Sequence, residues 1–154
     1  MTNHELAQNL RDLRDFLIIA GYDESHATRY THISRAIEKL PEPIQNMADE
    51  GRLNELPGVG KLIQSYIKEI LETGTSSKQK EWEHEAPASV LDLVRIPGVG
   101  AKTARRFYQE FGIDGLPTLK LAIENGILED ASGIGPKMMS ALRIATGLES
   151  PVSQ

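Results

Sequence analysis

Cysteine is absent from this 154-residue chain, which excludes disulfides, thiolate metal sites and a cysteine nucleophile. Histidine is scarce: the four, His4, His26, His32 and His84, never pair at the spacing of metal ligands on a shared helical face. No apolar run approaches the roughly 18 residues of a membrane span, and Met1 to Asn9 is too polar for a secretory leader. The chain therefore reads as cytoplasmic, with no membrane partner. Alternating β-branched segments are missing, so no strand is expected. The glycine pattern of a Walker loop is missing too, as is the third glycine of a dinucleotide site.

A strongly basic balance is also lacking. The net charge is −5, which does not suit a nucleic-acid binder that relies on its overall field. The distribution is uneven. Residues 1–55 carry 6 Lys+Arg against 10 Asp+Glu, residues 56–112 carry 8 against 7, and residues 113–154 carry 3 against 5. The acidic first third offers a face for a protein partner, whereas the middle is close to neutral.

What is present is helical periodicity. Leu6, Leu10, Leu13, Phe16 and Leu17 recur at spacings of three and four, ending at Gly21. Asp23 reads as the N-cap of a second helix with Tyr30, Ile33, Ile37 and Leu40 inside, and Pro41 stops it. A short helix holds Ile44 and Met47. Lys61 to Glu72 places Leu62, Ile63, Tyr66, Ile67, Ile70 and Leu71 on one broad apolar stripe, closed by Gly74. Residues 75–88 are polar, with one Trp82, and read as a linker or a charged surface helix. Further helices follow: one striped by Ala104, Phe107, Tyr108 and Phe111, one from Leu116 to Ile123, and one with Met138, Ala141, Leu142 and Ala145. The fold class is all-α and multi-helix.

The most informative feature is a phrase written three times. Leu56-Pro57-Gly58-Val59-Gly60-Lys61 recurs as Ile96-Pro97-Gly98-Val99-Gly100-Ala101-Lys102, and more loosely as Ala131-Ser132-Gly133-Ile134-Gly135-Pro136-Lys137. Each copy opens a helix. The first glycine can take positive φ, and without a Cβ it lets a ligand approach the backbone. The second adds an N–H at the mouth of the helix, where the first N–H groups lack partners and the dipole favours negative charge. Lys61, Lys102 and Lys137 lie within reach of such an anion, with Arg105 one turn further on. A nucleic-acid phosphate fits, and contacts of this kind position without reading sequence. The alternative is that each Gly-x-Gly only makes a tight turn between packed helices.

This pattern resembles the helix-hairpin-helix motif, and the order of motifs resembles the front end of family X DNA polymerases, bacterial and archaeal members above all. The similar stretch runs from about Leu6 to Ala145 and includes Gly51-Arg52-Leu53-Asn54-Glu55-Leu56 and Ile70-Leu71-Glu72-Thr73-Gly74. The resemblance implies a lyase-like helical domain with the first hairpin over residues 1–80 and a second helical domain with the other two over 81–148. A flexible tail is expected at 149–154. It also implies DNA-phosphate contacts at Gly58, Val59, Gly60 and Lys61, and at Gly98, Val99, Gly100, Ala101, Lys102 and Arg105; the repeated phrase itself extends them to Gly133, Gly135 and Lys137. A Na⁺ or K⁺ ion is implied on the backbone carbonyls of Asn54, Leu56 and Val59, and on those of Val94, Ile96 and Val99. Gapped, nicked or otherwise repair-type DNA is the implied partner, and with it a nucleoid-associated location and a role in repair or replication.

The departures from the family pattern point away from catalysis. The family's palm, with its magnesium-binding carboxylates, would follow residue 145, and the chain stops at Gln154. The lyase's Schiff-base lysine falls at Tyr66, and a phenol cannot form an imine. Lysine positions of the family's 5′-phosphate pocket fall at Asn54, Leu62 and about His26, and Tyr30 alone keeps its match. The leading expectation is thus a non-catalytic DNA-binding module. One alternative is a deoxyribose-phosphate or abasic-site lyase acting through Lys61 or Lys68. Another is a protein-interaction module with degenerate hairpins.

Overall fold

Leu6, Leu10, Leu13 and Leu17 line one side of the first helix, α1 (Asn3–Ala20), and none is more than 1% exposed. The remaining elements, in a computed structural model that describes residues 1–151, are α2 (Glu24–Glu38), α3 (Ile44–Asp49), α4 (Lys61–Thr73), α5 (Ser77–Trp82), α6 (Leu91–Val94), α7 (Ala101–Phe111), α8 (Leu116–Glu124) and α9 (Pro136–Ala145). Single 3₁₀ turns occupy Leu53–Glu55 and Ala88–Val90. Among the described residues there is no strand, as the missing β-branched alternation predicts. No helix among them is long and apolar enough to cross a membrane. Of the tail expected at 149–154, residues 152–154 lie outside the described residues.

The chain divides into two compact units, Met1–Ile18 with Tyr22–His84, and Ile19–Gly21 with the chain from Glu85 on. In the first, the inner faces of α1, α2 and α4 meet around Leu10, Ile33, Ile37 and Ile67, with Leu53, Leu56 and Val59 of the loop before α4 in the same cluster. Asp23 caps α2 as its position predicts: its carboxylate accepts from the Ser25 N–H at 2.8 Å and from the Ser25 hydroxyl. Those hydrogen bonds hold the Asp23 carboxyl below its usual range. In the second unit, Val90, Leu93, Ile96, Val99, Phe107, Ile113, Leu119, Leu128 and Leu142 are buried.

One expectation needs revision. Leu62 does not join the apolar stripe of α4, for it is 65% exposed, while Ile63, Tyr66, Ile67 and Ile70 are buried. Each residue advances the helix by about 100°. Leu62 lies roughly a quarter turn from the middle of the arc that those four share, on a side the core does not cover. Of the two readings of residues 75–88, the surface helix is the one found, as α5. Ser76 is buried and caps α5, accepting from the Gln79 N–H at 3.2 Å, and both the N–H and the hydroxyl of Ser77 donate to the Glu69 carboxylate of α4. Trp82 at the end of α5 lays its ring edge-on against Tyr22, 5.4 Å between centroids.

Much of the acidity of the first third is spent inside the fold. The Arg52 guanidinium gathers Glu42 at 2.7 Å, Glu50 at 2.8 Å and Glu55 at 3.3 Å, and Arg11 pairs with Glu38. Arg52 holds the Glu42 carboxyl below its usual value. This cluster ties down the loop that leads into α4.

Replacing Ile67 with Ala is expected to lower unfolding stability by about 2–5 kcal/mol, whereas Leu62→Ala changes it by less than about 0.5 kcal/mol. Urea titrations of the two variants check this. The depressed Asp23 carboxyl contributes stability that is complete above the unfolded-state pKa and is lost as pH falls through the folded-state value. An Asp23→Asn variant should therefore lose less stability than the parent between pH 5 and pH 2, measured as thermal midpoint against pH.

Candidate nucleic-acid interface

The repeated phrase is longer in the structure than in the sequence reading. Leu53, Leu56 and Val59 are buried at three-residue intervals, and Leu93, Ile96 and Val99 are buried at the same intervals. In each set the second residue's N–H donates to the first residue's carbonyl, at 3.2 Å from Leu56 to Leu53 and at 3.2 Å from Ile96 to Leu93. The third residue continues the series, at 3.4 Å from Val59 to Leu56 and 3.0 Å from Val99 to Ile96. Leu128, Ala131 and Ile134 share the spacing, with Ala131 donating to Leu128 at 3.2 Å, but Ala131 and Ile134 are only half-buried. The apolar residues pin a tight coil to the core and turn the intervening prolines and glycines outward.

The glycines then repeat almost angle for angle. Gly58, Gly98 and Gly133 adopt φ of 75°, 86° and 82°, the left-handed region where a side chain is strained. Gly60, Gly100 and Gly135 are the N-caps of α4, α7 and α9, with φ/ψ of −83°/−179°, −96°/−178° and −86°/−179°. Any residue can adopt that extended conformation, and a Cβ at any of these three would meet nothing within 4 Å. Ser, Asp and Asn are the favoured N-caps, yet none of these helices has a side-chain cap. The first N–H groups of three helices are thus left facing outward with no Cβ to obstruct approach. Nothing inside the fold accounts for glycine at these caps.

The basic residues are not equivalent. Lys61 is the first residue of α4, whereas Ala101 and Pro136 hold that place in α7 and α9, and Lys102 and Lys137 are second. All three lysines are exposed, and Arg105 is half-buried on α7. Pro136 fits the first helical position, as its fixed φ predicts, and leaves the third copy one N–H short. Val59 and Val99 face inward, so their N–H groups and side chains are committed to the fold and only their carbonyls remain for a ligand. The Val59 carbonyl lies 3.5 Å from the Gln64 amide.

Beside the first hairpin is a cavity of about 250 Å³. Gly58, Gly60 and Lys61 form one side, Tyr30 and Tyr66 another, and Arg29 from α2 and Lys78 from α5 bring in two more cations. The Lys78 ammonium stands 4.5 Å from the centroid of the Tyr22 ring. Burial pushes the Tyr30 and Tyr66 phenols up, so both stay neutral hydrogen-bonding groups at physiological pH. Tyr66 therefore lies in the cavity as well as on the apolar stripe. Lys68 is exposed and does not line the cavity. Tyr22, Arg29 and Lys78 were not foreseen. They come from three separate stretches of chain and follow no motif, and the one available signal was Arg29 preceding the matched Tyr30.

In the second unit, the second and third hairpins share a groove. Pro97 and Gly98 line one side and Gly135, Lys137, Met138 and Ala141 the other, around about 560 Å³. Among the described residues no group of three His, Cys, Asp or Glu side chains is placed to hold a metal ion.

Comparison with known proteins gives a consistent picture. Residues 1–76 match the helix-hairpin-helix domain family, and residues 65–114 match the SAM-like helix-hairpin-helix tandem family. Both matches end before the third copy. The chain is 25% identical to the DNA polymerase/3′-5′ exonuclease PolX of Bacillus subtilis over 147 residues, 96% of this chain and 25% of that protein. It is 35% identical to DNA polymerase lambda of Arabidopsis thaliana over 91 residues, 58% of this chain and 16% of that one. With the DNA nucleotidylexotransferase of Gallus gallus it shares 27% over 88 residues, 56% of this chain and 17% of that one. The chain spans a quarter or less of the length of these relatives.

Gly60→Ser and Gly100→Ser should raise stability by a few tenths of a kcal/mol, because Ser is the better N-cap. Gly58→Ala and Gly98→Ala should lower it by about 1–2 kcal/mol, because Ala pays for left-handed backbone. Denaturant unfolding of the four variants separates the two kinds of glycine.

Proposed function

Because the chain carries helix-hairpin-helix domains and is homologous to family X DNA polymerases over nearly its whole length, we propose that it grips the phosphate backbone of DNA at its hairpins, without reading sequence and without chemistry of its own. The observation that carries this reading is the uncapped glycine at the head of three helices, where the fold itself would favour Ser or Asp. A cap left open in three places keeps N–H donors and helix dipoles for an anion. Backbone donors also suit a chain with net charge −5, since they need no large basic patch. Gly60 and Lys61 serve the first contact, Gly100, Ala101, Lys102 and Arg105 the second, and Gly135 and Lys137 the third.

The cavity beside the first hairpin adds a phosphate-sized recess with three cations, Arg29, Lys61 and Lys78. It supports a preference for DNA ending in a 5′-phosphate, as at a gap or nick, and so a role in repair or replication. The cations at Arg29 and Lys78 take the place of the family's missing lysines at Asn54, Leu62 and His26. Lys61 and Lys78 are the amines of this cavity; a Schiff-base lysine is activated by desolvation or by crowding with positive charge, and with Lys61 exposed and Lys78 only half-buried the desolvation is missing. The all-oxygen sets at Asn54, Leu56 and Val59, and at Val94, Ile96 and Val99, fit a hard monovalent cation, Na⁺ or K⁺. Leu56 and Ile96 each accept one hydrogen bond and keep a second lone pair. Held by those carbonyls, such an ion would supply positive charge toward a DNA phosphate.

Fluorescence anisotropy with a gapped duplex bearing a 5′-phosphate, its 5′-hydroxyl counterpart, intact duplex and single strand tests the proposal. Micromolar binding that weakens with salt and favours the 5′-phosphate is expected, and absence of binding to all four at low salt would end it. Gly100→Ser, which leaves the fold intact, should weaken binding several-fold by occupying the N–H donors with its own hydroxyl. Borohydride trapping on abasic DNA should give no covalent adduct, and a Lys61-dependent adduct would restore the lyase reading.

A further inference from the structure

The third hairpin lacks the apolar anchors of the other two. Ala131 and Ile134 are half-buried where Leu56, Val59, Ile96 and Val99 are buried, and α9 buries Leu142 alone. Its turn is held by something else. The Arg106 guanidinium, from the middle of α7, donates to the Ser132 carbonyl and lies 3.4 Å from the Ser132 hydroxyl. One of its nitrogens stands 3.7 Å from where a Cβ on Gly133 would sit. On its own helix the same side chain is fixed by Glu110 at 3.1 Å and lies over the Phe111 ring, 5.8 Å from its centroid. It therefore bridges the helix of the second hairpin and the turn of the third. Glu110 offsets its charge, and its fork is committed to the turn, so it is poorly suited to meet a phosphate itself.

We infer that Arg106 is a positioning residue that fixes the third hairpin against the second, so that the two turns engage a single duplex as one unit. The groove lined by Gly98 on one side and Gly135 and Lys137 on the other has its width set by this strut. A planar five-donor fork can hold a carbonyl, a hydroxyl and a carboxylate together, whereas an ammonium on a flexible stem cannot. The inference rests on the DNA-binding reading above, and it adds that the third copy, outside both family matches, takes part in the grip through a contact that the repeated phrase does not contain.

The test uses the full chain with Arg106→Lys, Arg106→Gln, Lys137→Ala and the double variant Arg106→Lys/Lys137→Ala, after thermal midpoints show that each is folded. Intact-duplex affinity is measured against salt, and amide hydrogen exchange is followed at residues 98–101 and 132–137. Arg106→Lys should weaken binding as much as Arg106→Gln, although it keeps the charge. Lys137→Ala should lower the salt slope by about 1 in the parent and have no further effect in the Arg106→Lys background. Exchange should quicken at 132–137 and stay unchanged at 98–101. Parental affinity in Arg106→Lys, or losses from Arg106→Lys and Lys137→Ala that simply multiply, would make Arg106 an ordinary phosphate contact or a bystander and overturn the inference. Unchanged exchange at 132–137 would overturn the strut itself, whatever the binding shows. A parent protein that binds no duplex defeats the DNA-binding reading and the functional half of this one, and the exchange experiment still decides the strut.

Discussion

Everything at the candidate interface depends on a short coil pinned from one side. Leu53, Leu56 and Val59, and again Leu93, Ile96 and Val99, bury a side chain every third residue. With the core filling one side of the coil, the residues between are forced to face solvent. The left-handed glycine then reverses the chain, and the extended glycine hands it into the next helix. Hydrophobic burial thus holds polar backbone in place at the surface, which a flexible loop could not do without losing conformational entropy on each binding event. The third copy shows what happens when the pin weakens: a side chain from a neighbouring helix, Arg106, takes over the work of holding the turn.

The electrostatics follow the same economy. A chain with more carboxylates than cations is an unusual partner for an anion, but in the first unit Glu38, Glu42, Glu50 and Glu55 are bound up in ion pairs with Arg11 and Arg52. What faces the cavity beside the first hairpin is Arg29, Lys61, Lys78 and neutral phenols. The local field at the site therefore differs in sign from the net charge of the protein. Partial charges at helix ends act within a turn or so, so a distant carboxylate in water does little to oppose them.

The similarity to the Bacillus subtilis polymerase covers nearly the whole chain, but the matched stretch is a quarter or less of each of these relatives. Tyr66, beside the first hairpin, is buried, and its phenol keeps its proton. The cavity around it is basic through Arg29, Lys61 and Lys78.

Local rules were enough for the helices and for the glycines. Apolar spacing of three and four located α1, α2, α4 and α7, Asp23 was legible as a cap, and Gly-x-Gly before a helix was legible as a turn, because each depends on residues within a few positions of one another. Where local rules failed, distance along the chain was the reason. Leu62 borders the stripe by sequence, but it stands outside the arc that the core covers, and a helical pattern does not say how wide that arc is. Ser77 against Glu69, Arg29 and Lys78 around one cavity, and Arg106 against Ser132 join residues between 8 and 49 positions apart. No periodicity encodes such meetings. They arise when buried faces bring distant surfaces together, so the presence of three glycine turns at the heads of helices could be read from the chain, while the groups that surround and steady them came from packing alone.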